Sequence, residues 1–189
     1  MLSFEQCRTI IEEQLSMLSI GRRMPAGLYK PVEHVMSAGG KRVRPALTLM
    51  ACNIFSDDIK NALIPSVALE IFHNFTLMHD DLMDNANVRR NRITVHKRWN
   101  NNTAILSGDA MMILAYLHMC GTQQDILPVL LETFNRAALE VCEGQQYDMD
   151  FEKRDKISIE EYINMIRLKT AGLFAACLKT GAICGGANF

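Results

Sequence analysis

The sequence predicts an all-α protein, a bundle of helices. Apolar residues recur with a period near 3.6 along most of the chain, and strand-like alternation is scarce. The main cluster of helix breakers is confined to 21–40, where Pro25, Gly27, Pro31 and the Gly39-Gly40 pair gather. The 189 residues suit one domain, 1–189, with a substantial core.

The elements follow in order. A first amphipathic helix covers 4–18. The broken stretch allows a short helix at 31–37, started by Pro31. Residues 45–54 are helical, and Ser56-Asp57-Asp58 signals a stop and a restart. A long helix spans 61–83. The stretch 85–102, rich in arginine and asparagine, is expected as a loop. Residues 103–119 form a very apolar helix, expected to be buried on most sides. Another helix runs over 126–148, with Pro128 tolerated in its first turn. Ser158 caps the next, Glu161 completes a capping box, and the helix ends near 165. A separate apolar helix covers 168–183, and Gly185-Gly186 follow. That last helix is apolar almost all round, which predicts further partner helices and a bundle incomplete at its C-terminus.

Composition excludes several classes. The formal net charge of −1 leaves no electrostatic footprint for nucleic acid. No apolar run reaches the roughly 18 residues that a transmembrane span needs. The opening Met1-Leu-Ser-Phe-Glu5 has no basic region before an apolar stretch. Six cysteines without a CxxC pair predict free thiols in a reducing cytoplasm. The twelve methionines read as core filler.

The chemistry concentrates at the end of the long helix. Asp80 and Asp84 lie four residues apart, on one face and one turn from each other. Two such carboxylates repel unless a cation lies between them. At a helix C-terminus they also oppose the macrodipole. Oxygen-only ligands suit Mg²⁺, which keeps most of its waters and takes phosphate oxygens beside one or two carboxylates. Arg89 and Arg90, just downstream, offer planar donors for a metal-bound diphosphate. Upstream, Gly39-Gly40-Lys41-Arg42-Val43-Arg44-Pro45 puts three cations at a tight turn before a helix start, either a phosphate cradle or a solvated basic turn. His73 shares the carboxylate stripe two turns below Asp80. His79 points about 100° away, toward packing. Lys169-Thr170 interrupts an apolar helix, where a lysine needs a counter-anion or a path to water. Gly144 to Asp148 ends a helix with polar groups that either line a cavity or cap it. No Ser-His-Asp or Cys-His arrangement stands out.

In this order the motifs resemble the trans-polyprenyl (isoprenyl) diphosphate synthases of the short-chain type. The resemblance rests on the GGKRxRP turn, DDxxD at Asp80 to Asp84, Arg89-Arg90 nine residues on, Ala104 to Asp109, Gly144-Gln145 to Asp148, and Lys169-Thr170. It spans almost the whole chain. It implies an isoprenoid-synthase-type helical bundle and a prenyltransferase that condenses isopentenyl diphosphate with an allylic diphosphate. Lys41, Arg44, His73 and Arg90 would hold the isopentenyl diphosphate. Asp80 and Asp84 would ligate Mg²⁺, with Asp81 assisting. Arg89, Lys169, Thr170 and Gln145 would face the allylic diphosphate. Phe75 and Thr76, one aromatic and one small residue below the first aspartate, would floor the cavity as in the geranylgeranyl-forming type. Family members are usually homodimers, and 103–119 is a candidate interface.

The family's second aspartate-rich motif has no counterpart here; Asp148, Asp150 and Asp155 are spaced wrongly and come too early. The expectation is therefore the N-terminal part of a complete enzyme, impaired or inactive alone. The alternative is a non-catalytic short homologue that binds a complete synthase. A class I terpene cyclase also uses an aspartate-rich helix, but the basic turn at Lys41 to Arg44 argues for a second diphosphate and against it.

Overall fold

A computed structural model describes residues 1–188; Phe189 lies outside them. The fold is all-α. Nine helices occur among the described residues: α1 (Phe4–Met17), α2 (Ala26–Met36), α3 (Val43–Phe55), α4 (Lys60–Met83), α5 (Val95–Arg98), α6 (Asn101–Met119), α7 (Leu127–Phe151), α8 (Ile159–Ile166) and α9 (Gly172–Cys184). A single 3-10 turn, Ile20–Arg22, precedes α2. No helix among the described residues is long and apolar enough to cross a membrane.

Helix α4 is the axis of the molecule. It packs chiefly on α6, also on α3, α9 and α1, and buries residues on several faces, including Leu69, Ile71, Phe72 and Met78. Phe72 meets Phe134 of α7 edge-on at 5.0 Å, which joins the two long helices. Small residues allow a close crossing between α9 and α3. A Cβ on Gly181 would lie 2.0 Å from the Thr48 carbonyl oxygen, so only glycine lets these backbones meet.

Several expectations are corrected. The short helix at 31–37 is the second half of α2, which begins at Ala26 and carries Pro31 in its interior. One backbone bond is lost there, but Pro31 and Val32 are buried, and that burial offsets it. The loop at 85–102 contains a hairpin, β1 (Val88–Arg89) and β2 (Arg92–Ile93), followed by α5. Its two turn residues, Arg90 and Asn91, both have positive φ (50° and 59°), as a type I′ turn requires. The usual Asn-Gly signal is absent, so the hairpin was hidden. Helix α6 is buried on one face only; Ile105, Leu106, Ile113 and Leu117 are exposed.

The capping box at Ser158 and Glu161 forms as expected. The break expected between 165 and 168 does not occur. The helix continues through Arg167–Ala171 as a π-type segment into α9.

Candidate active site

A cavity of about 320 Å³ lies between α4, α7 and the π segment. It brings together eight of the residues singled out from the sequence: Arg44, His73, Phe75, Thr76, Asp80, Gln145, Lys169 and Thr170. Apolar side chains, among them Leu173, Val141 and Met149, complete the wall.

Asp80 stands at the polar end. Its Oδ2 accepts from Arg89 at 3.2 Å, and its Oδ1 lies 3.6 Å from Lys169 Nζ. That Oδ1 is buried and makes no hydrogen bond. Asp81, one residue on, faces a different cleft, where Arg89 Nε donates to it at 2.6 Å. Burial pushes the Asp81 carboxyl above its ordinary range more strongly than Arg89 lowers it. Asp84 caps α4 and is exposed; partial desolvation, then the charge of Asp80, raise its pKa. The charge that the macrodipole disfavours at this helix end is thus partly balanced by Arg89 and Lys169.

Lys169 also bonds Asp148 of α7. Burial opposes its charge, but Asp148 and Asp80 outweigh burial and hold its pKa above the usual lysine range. The π segment explains how a lysine in an apolar helix reaches this position. The segment adds one residue to the turn, and π bulges recur at functional sites for that reason. Gly144 admits it: a Cβ there would lie 2.2 Å from the Lys169 backbone nitrogen.

Arg44 and His73 form the opposite end. Arg44 Nη1 lies 3.1 Å from His73 Nε2, and its guanidinium stacks 4.3 Å above the Phe174 ring. Burial first, then Arg44 and the neighbouring arginines, push the His73 pKa down to about 3. The ring is neutral at physiological pH, so Nε2 accepts from Arg44 and Nδ1 carries the proton. Arg44 Nε and Gln145 Nε2 are buried without a hydrogen-bond partner. Phe75 packs against the His79 ring at 4.8 Å, while His79 Nε2 reaches the Ile105 carbonyl of α6.

The remaining predicted residues do not line this cavity. Lys41 is exposed and has no ion-pair partner among the described residues. Arg90 bonds the Gly39 carbonyl and Asn74. Gly40, at φ +147°, leaves room for that guanidinium, which would lie 3.0 Å from a Cβ. Arg42, counted among the three cations of the turn, points inward to Glu70 instead.

For magnesium, no group of three or more His, Cys, Asp or Glu side chains is arranged to hold a metal among the described residues. Mg²⁺ needs only one or two carboxylates when water and phosphate supply the rest. Asp80 Oδ1, buried and free of hydrogen bonds, and the oxygen-only donor set fit that mode.

The family model described as polyprenyl synthetase matches residues 25–189. The chain belongs to the polyprenyl synthetase family. It is 40% identical over 166 residues to the geranylgeranyl diphosphate synthase of Methanosarcina mazei, covering 87% of this chain and 51% of that protein. It is 36% identical over 179 residues to the geranylgeranyl pyrophosphate synthase of Geoglobus acetivorans, covering 94% and 56%. Among solved structures, one geranylgeranyl pyrophosphate synthase superposes with a TM-score of 0.95 at 48% identity, over 100% of this chain and 57% of that one. The Pyrococcus horikoshii geranylgeranyl pyrophosphate synthetase follows at 0.92 and 38%, over 98% and 57%. The chain spans about half the length of the curated relatives it matches.

Within this polyprenyl synthetase fold, sequence reading missed Asp148 as the partner of Lys169 and missed the inward role of Arg42. The signal for the second was present. Glu70 lies in the apolar run Val67-Ala-Leu-Glu-Ile-Phe72, and a buried carboxylate demands a cation.

Proposed function

We propose that this chain supplies the isopentenyl-binding end and the first acidic end of a prenyltransferase. That enzyme condenses isopentenyl diphosphate with an allylic diphosphate, with geranylgeranyl diphosphate as the favoured product. The observation that carries the reading is the apolar-walled cavity with cations and a carboxylate at its polar ends.

Asp80 and Asp84 would hold Mg²⁺, with Asp81 assisting by fixing Arg89. When bound, the ion neutralises charge on the departing diphosphate. Arg89, Lys169 and Thr170 bind that same diphosphate and orient it, and Gln145 offers its unpaired amide beside it. Lys41, Arg44 and Arg90 bind the homoallylic diphosphate, and neutral His73 donates through Nδ1. The apolar walls exclude water from a carbocation that water would quench. The C5 double bond then attacks the allylic carbon, and a proton leaves the adjacent carbon for the released diphosphate. No protein nucleophile is required. Phe75 and Thr76 stop the growing chain. The enzyme works in the cytoplasm as a homodimer, with the exposed aliphatic face of α6 as its interface.

The test is Asp80→Ala in the full-length gene product. Loss of Mg²⁺-dependent condensation by at least about a hundredfold is expected, the scale of losing a group that stabilises developing charge. Unchanged turnover would remove the assignment. A non-catalytic partner of a complete synthase is the second reading, and condensation by the full-length product alone would exclude it.

A further inference from the structure

Behind the cavity, the interior holds a second polar assembly that the proposed chemistry does not use. The Arg42 side chain is 2% exposed. Its Nη1 donates to Glu70 Oε1 at 2.7 Å, its Nε to Glu12 Oε1 at 2.8 Å and its Nη2 to the Met36 carbonyl at 3.0 Å. The bonds continue along α4. Asn74, fully buried, donates through Nδ2 to the Glu70 carbonyl at 2.8 Å and to Glu70 Oε1 at 3.1 Å. The far end of the same amide, Oδ1, accepts from Arg90 Nη1 at 3.2 Å. That nitrogen also donates to the Gly39 carbonyl. The path closes into a ring through the Gly39-Gly40 turn and back to Arg42.

The amide orientation is dictated by its neighbours. Two acceptors lie on one side and a guanidinium on the other, so Oδ1 must face Arg90. Arg90 needs such a hold. It stands at a hairpin tip on left-handed backbone, at the end of a long side chain. With Nη1 pinned twice, its Nε and Nη2 make no hydrogen bond to the described residues and remain for an anion. Glu70 also sits among Arg42, Arg44 and Arg90 and offsets their mutual repulsion. A buried ion pair adds little net stability over apolar packing, so fixing a geometry is the better account of its presence.

We infer that Asn74, backed by Glu70 and Arg42, is a positioning residue that aims Arg90 and the glycine turn at one diphosphate. This rests on the proposed role of Arg90 toward isopentenyl diphosphate. Asn74 touches neither substrate; it acts through Arg90.

The experiment measures KM for each diphosphate separately in the full-length gene product with Asn74→Ala, Arg90→Ala and both. Asn74→Ala raises KM for isopentenyl diphosphate roughly tenfold, the scale of one lost hydrogen bond to a charged group. KM for the allylic diphosphate stays unchanged. In the Arg90→Ala background the Asn74 change adds nothing further. Equal rises in both KM values, or full additivity in the double variant, would overturn the relay. A raised KM in Arg90→Ala beside an unmoved one in Asn74→Ala overturns the relay alone. An unmoved KM in Arg90→Ala overturns the underlying reading of Arg90, and the relay with it. Asn74→Ser, which keeps a hydroxyl acceptor, gives the same reading with a smaller rise if the alanine variant does not fold.

Discussion

His73 is held neutral by its surroundings, and this has a definite acid signature. The folded chain takes up that proton only near pH 3, whereas an unperturbed histidine takes it up near 6.5. The unfolded state therefore binds more protons between those values. Stability from this group is complete above the ordinary value and is lost as pH falls toward the folded one. The slope approaches about 1.4 kcal/mol per pH unit. Unfolding free energies of wild type and His73→Gln, compared between about pH 6 and pH 4, check this. The variant should show the flatter curve, and parallel curves would refute the assignment. The cavity floor gives a second expectation. Phe75 is braced by His79 at 4.8 Å and by Phe72 at 5.5 Å, so its ring stands firmly across the cavity. Phe75→Ala should lengthen the product; chromatography that shows an unaltered product spectrum would count against the floor.

At the scale of elements, the meeting of α7 with the π segment decides where Lys169 stands. Gly144 is buried, and the atoms a Cβ would strike are backbone, which cannot swing aside. Gly144→Ala should force the π segment away from α7 and pull Lys169 from Asp80 and Asp148. A loss of about 1–3 kcal/mol in thermal or urea unfolding is expected, as for other overpacked sites, with reduced condensation in the full-length enzyme. Retained stability would mean that the segment can shift freely. The sequence showed helix up to about 165 and again from 168, but neither their continuity nor the π-type turn at Arg167–Ala171. Periodicity registers apolar faces, and one extra residue in a turn reads as a phase break. For α6 the opposite held. Its composition is strongly apolar, yet burial depends on what lies against it, and the side toward α4 and α2 is covered while Ile105, Leu106, Ile113 and Leu117 stay exposed.

At the scale of the molecule, the Arg42–Glu70 pair ties α1, α2, α3 and α4 together through Glu12, the Met36 carbonyl and Asn74. Breaking it from one side strands a buried carboxylate. Arg42→Ala should destabilise the fold by about 3–5 kcal/mol, measured by denaturant unfolding; a change below about 1 kcal/mol would show that water or another cation reaches Glu70. The basic turn was legible as a run of cations, but their division of labour was not. Lys41 is exposed, Arg42 is spent inside, and Arg44 reaches His73 and Phe174.

The sequence alone determined the helical class, the positions of most helices to within a few residues, and the acidic, basic and lysine motifs. Each of these is local: a period, a cap, or charges at fixed spacing along one helix. Tertiary structure alone decided which charges meet. Asp80 and Lys169 are joined because α4 and the π segment converge. Arg42 turns elsewhere because Glu70, on another helix, accepts its hydrogen bond. Side-chain direction follows from neighbours across the bundle, and no pattern along the chain records them.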